Sequence, residues 1–295
     1  MDRNLFKSGF IHDEDAAYKF LESIRWPDGP ICAHCNATKV YRFKPSKTGR
    51  RVLKCAECRK QFSVTVGTIF EDSHLPLTKW LAAYHLLCSS KKGMSAHQLH
   101  RMLGITYKSA WFMAHRIRHS MKQNPFPDKL SGVVEADETY IGGKTRGMTG
   151  QHGGNKAPVF TLLQRGGNVR SFHVVTRVTG KNLKAILREN VNSDSHVMTD
   201  MFHGYYGLDT EFAKHEMVNH SLREYARGRA HVNTAEGYFS LLKRGIVGVY
   251  HHVSKQHLHR YLAEFDFRYN GRKQTDAVRS ALAVKAIEGK RLQYK

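Results

Sequence analysis

"VVEADETYIGG", residues 133–143, sets three acids into a run whose two ends read as a core β-strand. Carboxylates inside such a strand are costly unless something positive meets them. Strand alternation puts Glu135, Asp137 and Thr139 on one face and Glu138 on the other. Asp137 is a candidate through its convergence with other acids, taken up below, and Glu135, sharing its face two positions away, is a possible auxiliary. Glu138 is expected to partner a basic side chain or a helix N-terminus.

Working outward, 158–165 and 169–178 read as the next two strands and "KNLKAILREN" (181–190) as an amphipathic helix. "SHVMTD" (195–200) is a fourth strand and "EMVNHS" (216–221) a weaker fifth; helices follow at 233–246, 254–269 and 275–288. Three strands, a helix, further strands and closing helices make a mixed α/β unit. Upstream, "KQNPFPDK" with its two prolines is a natural linker. Before it lie helices at 12–25 and 75–90, and a pair broken at Gly104-Ile105-Thr106. The expected divisions are an N-terminal helix and ribbon (1–75), a helical segment (76–125), the α/β domain (130–272) and a C-terminal helix (273–295).

The chain of 295 residues carries 47 Lys and Arg against 25 Asp and Glu, a formal net charge of +22. Basic residues run along its whole length. That balance suits a body that neutralises phosphates, as a nucleic-acid binder does. The longest apolar run is about the length of "WLAAYHLL", far short of the ~20 residues a membrane span needs, and the first residues lack a secretory h-region. The expectation is a soluble, cytoplasmic, nucleoid-associated protein with no membrane partner.

Four of the five cysteines form two C-x-x-C pairs, Cys32/Cys35 and Cys55/Cys58, separated by strand-like sequence. That spacing fits a tetrahedral thiolate zinc site. Four thiolates leave no open position, so one structural Zn²⁺ is expected rather than a catalytic one. "SAHQLHRMLGI" and "TYKSAWFMAHRIRHSM" have helix-turn-helix proportions, with Ser95 and Thr106 as N-caps. Tyr107 and Lys108 then open a recognition helix, where base contacts are made. The 19 histidines are too irregularly spaced for a metal site.

Asp137 inside the first strand, Asp200 at the end of the fourth and Glu236 early in the helix from Asn233 can meet around one crevice. Three converging carboxylates repel, and a pair of divalent cations resolves the repulsion. Two Mg²⁺ (or Mn²⁺) ions so held suit phosphodiester chemistry. Asn233, Glu236, Ser240 and Lys243 share a helix face, and Arg244 adds charge beside Lys243. The glycine-rich, basic loop from Gly142, which includes Lys144, either clamps DNA or simply moves.

"VEADETYIGGK" (134–144), "VMTDMFHGY" (197–205) and "HVNTAEGYFSLLKRG" (231–245) resemble the three catalytic blocks of DDE-type insertion-sequence transposases. The likeness is to the bacterial group with an N-terminal zinc ribbon and a ribonuclease H-like catalytic domain, and it spans nearly the whole chain. It implies a ribonuclease H-like mixed sheet flanked by helices, with Asp137, Asp200 and Glu236 as catalytic triad and Mg²⁺ ligands. Members carry Asn or His at the third position in some cases, so Asn233 is the alternative to Glu236. It further implies double-stranded DNA as partner, binding of terminal inverted repeats, metal-dependent cleavage and strand transfer, Lys243 as a DNA contact, and at least a homodimer on DNA. Two rivals remain: a nuclease of the same fold without strand transfer, and a catalytically inactive zinc-ribbon DNA-binding regulator.

Overall fold

The computed structural model describes residues 9–44, 51–123, 128–143, 156–219, 222, 224 and 226–293. The chain divides into two compact units, one formed by Met1–Met121 with Gly271–Lys295 and the other by Lys122–Asn270. The ribbon, the helical segment and the C-terminal helix, set apart in the sequence reading, thus share one unit.

In the first unit, α1 (Glu14–Arg25) starts at Asp13, whose carboxylate accepts from the Asp15 and Ala16 N–H groups. Three short antiparallel strands follow, β1 (Val40–Arg42), β2 (Leu53–Cys55) and β3 (Gln61–Phe62). Helix α2 (Leu77–Ser89) begins after Pro76, which offers no capping side chain. Glu14 from α1 supplies the cap instead, accepting from the Leu77 and Thr78 N–H groups at 2.6 and 3.1 Å. Helix α3 (Ala96–Leu103) is capped by Ser95 and stops at Gly104, whose left-handed backbone (φ 59°) favours glycine. Thr106 caps α4 (Tyr107–Met121) through the Ser109 N–H. Both caps are those read from sequence. Leu99 and Ile105 are buried between the two helices, whereas Leu103 and Trp111 are only partly covered. Helix α8 (Asp276–Lys285) packs on α2, with Arg279 Nε donating to the Cys88 carbonyl at 2.8 Å.

The second unit is built on β4 (Val133–Ile141), β5 (Ala157–Gln164), β6 (Val169–His173), β7 (His196–Asp200) and β8 (Lys214–Val218). Their order is β6-β5-β4-β7-β8. The first three pair antiparallel, whereas β7 and β8 run parallel to β4. This is the ribonuclease H-like mixed sheet expected. Helix α5 (Gly180–Asn190) covers one face, where Leu183 and Leu187 meet Val134, Ala136, Phe160 and Leu162. Helices α6 (Asn233–Gly245) and α7 (Lys255–Asn270) cover the other, packing Tyr238, Leu242 and Phe265 on Val159, Leu163 and Val169.

Two strand limits differ from the sequence reading. β6 ends at His173 rather than near 178: Val174 N–H still donates to the Pro158 carbonyl of β5 at 3.1 Å, but Pro158 has no N–H to return the bond. Residues 176–179 are freed to line a crevice. β8 lies two residues early, at Lys214–Val218, where it pairs with β7.

Candidate active site and metal centre

The two knuckles of the ribbon are local in origin. Asn36 and Arg59, each directly after the second cysteine of its pair, take positive φ (61° and 60°). That turn brings Asn36 N–H back to the Cys32 carbonyl at 3.0 Å. Cys32 Sγ lies 3.7 Å from Cys58 Sγ, Cys35 Sγ lies 3.5 Å from Cys55 Sγ, and all four sulfurs fall within 4.8 Å of one another. Sulfurs about 2.3 Å from a tetrahedral zinc stand roughly 3.8 Å apart, so this donor set fits Zn²⁺. No fifth ligand is needed, in keeping with a structural role.

In the second unit, the parallel register Glu135↔Met198, continued by two residues, sets Asp137 level with Asp200. Asp137 Oδ1 accepts from the Glu138 N–H at 2.7 Å, and Asp200 Oδ1 from the Phe202 N–H at 3.0 Å, so both carboxylates are oriented by their own chain. Glu236 reaches the same place from α6. The three acids line a crevice of about 1370 Å³ together with Glu138, Lys156, Arg177, Lys243 and Arg244. Burial, then the charge of Asp200 and to a lesser degree that of Glu236, push the Asp137 carboxyl up to about 7, with Lys243 opposing. The acids are therefore near enough to repel. Among the described residues only the cysteines draw three or more ligand atoms into a tight group, so the carboxylates converge around open space rather than on one another.

Asn233, the alternative to Glu236, is the exposed first residue of α6 and does not line the crevice. Lys144 lies outside the described residues. Tyr107 and Lys108 are exposed at the start of α4, and the Tyr107 ring is stacked on His97 with centroids 4.3 Å apart.

The two remaining acids of β4 behave otherwise than the sequence suggested. Glu135, fully buried, meets the helix N-terminus: its carboxylate accepts from the Thr234 and Ala235 N–H groups, both at 2.9 Å, and from Thr234 Oγ1 at 2.8 Å. Arg165 Nε donates to it at 2.6 Å while the same guanidinium holds the Arg229 and His231 carbonyls. One strand thus carries Asp137 and also fixes the start of the helix that carries Glu236. Glu138, expected to find a cation or helix end, instead faces Tyr205, Asp200 and Asp137. Burial and those two carboxylates raise it to about 8, while the Tyr205 hydroxyl opposes the rise. Glu138 and Tyr205 escaped the sequence reading because they are 67 positions apart, and only the β7 turn brings them together.

A ribonuclease H-like sheet with acids at its crevice, in a chain that also bears a four-cysteine ribbon, has the build of a transposase. Residues 129–270 match the ISXO2-like transposase domain, and residues 12–61 match the transposase zinc-ribbon domain. The chain is 32% identical over 276 residues to a Halobacterium salinarum protein described as an uncharacterized protein in transposable element ISH50, covering 88% of this chain and 91% of that one. It is also 33% identical over 97 residues to an uncharacterized transposase-like protein of Haemophilus influenzae, covering 33% of this chain and 77% of that one. A pre-cleavage Mos1 transpososome structure aligns with 68% of this chain and 78% of its own at 11% identity, but its TM-score of 0.19 is too low to bear on the fold. The chain belongs to the ISXO2-like transposase family, with its zinc ribbon N-terminal. No helix among the described residues is long and apolar enough to cross a membrane.

Proposed function

We propose that this chain cuts and joins DNA at the ends of an insertion sequence, using Asp137, Asp200 and Glu236 as its catalytic carboxylates. One observation carries the reading: these three acids line a single crevice whose other charged groups include Lys156, Arg177, Lys243 and Arg244. The acids suit divalent cations and the four bases suit phosphates, so one cleft answers to both halves of a phosphodiester reaction. Two Mg²⁺ (or Mn²⁺) ions bound there would supply activation of the attacking oxygen and stabilisation of the leaving one. Asp137 and Asp200 hold their oxygens toward that place through the Glu138 and Phe202 N–H groups. Lys243 and Arg244, about two turns beyond Glu236, would fix the scissile strand by its phosphates.

Double-stranded DNA is the proposed partner, with the zinc ribbon and the α3–α4 pair recognising terminal inverted repeats through Tyr107, Lys108 and neighbouring bases. Two ends must be held at once, which calls for at least a homodimer on DNA. Asp137→Ala should abolish Mg²⁺-dependent cleavage of an end substrate while leaving its binding near wild type in a gel-shift assay. Unchanged cleavage would overturn the mechanism. Wild-type protein given pre-cut ends should carry out strand transfer; cleavage without transfer would mean a nuclease, and neither reaction a regulator.

A further inference from the structure

Glu138 stands on the face of β4 opposite to that of Asp137, yet it lines the same crevice. Its Oε1 is shut off from solvent and completes no hydrogen bond to any described residue. The Tyr205 hydroxyl, in a side chain that is 0% exposed, faces it and completes no well-formed hydrogen bond, although it is near enough to act on the Glu138 carboxylate. Buried polar atoms are rarely left without partners, and two that face each other mark a place for something absent from the protein itself. The charged groups acting on Glu138 there are Asp137 and Asp200. A place bounded by three carboxylates and one hydroxyl calls for a donor with positive charge, such as a hydrated divalent cation.

The turn that presents Tyr205 is itself rigid. Residues His203–Tyr205 form a single 3-10 turn directly after β7, with Tyr205 N–H bonded to the Phe202 carbonyl at 3.0 Å and its ring edge-on to Phe202. Gly204 in that turn approaches Gly180 at the start of α5 so closely that a Cβ on Gly180 would stand 2.6 Å from the Gly204 carbonyl oxygen. The same few residues therefore orient Asp200, through the Phe202 N–H, and place the hydroxyl beside Glu138.

We propose that Glu138 is a fourth carboxylate of the cation site, oriented by Tyr205 and holding the hydration water of an ion bound by Asp137 and Asp200. It is a positioning residue: it acts on the ion through water and does not touch DNA. The proposal rests on the metal-dependent reading of the crevice. Partners of this outer kind alter metal affinity by about 10–100-fold when removed.

The test is Mn²⁺ binding to the full chain without DNA, followed by electron paramagnetic resonance and by the Mn²⁺-induced rise in melting temperature. Glu138→Gln should bind Mn²⁺ at least tenfold more weakly while melting no lower than wild type in the absence of metal. Tyr205→Phe, which keeps the packing, should lose several-fold. Asp137→Asn is the reference. If it loses Mn²⁺ binding while Glu138→Gln and Tyr205→Phe bind as wild type, the fourth carboxylate is refuted and the triad stands. If Asp137→Asn also binds as wild type, the metal reading of the crevice falls and takes this inference with it.

Discussion

At the scale of single residues, Asp137 shows what it costs to bury a carboxylate beside other acids. An aspartate raised to about 7 in the folded chain, from about 4 when unfolded, binds protons more tightly folded than unfolded. Stability then falls as pH rises through that interval, the reverse of a salt-bridged acid. Without divalent cations, Asp137→Asn should stabilise the protein by about 1–3 kcal/mol at pH 8. The gain should shrink toward nothing at pH 4, as read by chemical denaturation at each pH. The sequence made Asp137 visible because an acid within an apolar strand contradicts its surroundings. It could not show what Glu135 and Glu138 do, because their partners lie far along the chain. Arg165 is 30 positions and Thr234 99 positions from Glu135, and strand alternation fixes only the face, not what waits there. The cation and helix N-terminus expected for Glu138 are found instead at Glu135.

At the scale of elements, the ribbon and the sheet depend on different sources of order. β1, β2 and β3 have three, three and two residues, too few to hold a register by hydrogen bonds alone. Their stability must come largely from the ion that joins the two knuckles. We expect one zinc per chain, lost in a Cys32→Ser, Cys55→Ser variant. Hydrogen-exchange protection over residues 51–62 should be lost with it while β4–β7 keep theirs; full protection in a zinc-free sample would contradict this. Each C-x-x-C pair and each helix cap was legible, since each is written within a few residues. The end of β6 and the start of β8 were not, because a strand's limits are set by its neighbours: β5 at Pro158, and β7 over His196–Asp200.

At the scale of the whole molecule, the second unit interrupts the first in the chain. Residues 271–295 return to the helices formed by the opening 121 residues. The sequence reading set 273–295 apart because an amphipathic helix does not name the surface it will cover. Here that surface is α2, which Ala277, Ala283 and Val284 help to bury. A chain stopped after Asn270 should therefore damage the helical unit rather than the sheet. The prediction is weakened binding to end DNA and aggregation through the uncovered α2, with protection of β4–β7 retained in hydrogen exchange. This arrangement also bears on the order of events during synthesis. The helix bearing Tyr107 and Lys108 emerges from the ribosome before the sheet but must wait, with α2 incompletely covered, until α8 has been made. The sheet and its crevice have all their strands and helices by residue 270. A nascent transposase would thus complete the crevice proposed to cut DNA before it completes the unit proposed to read it.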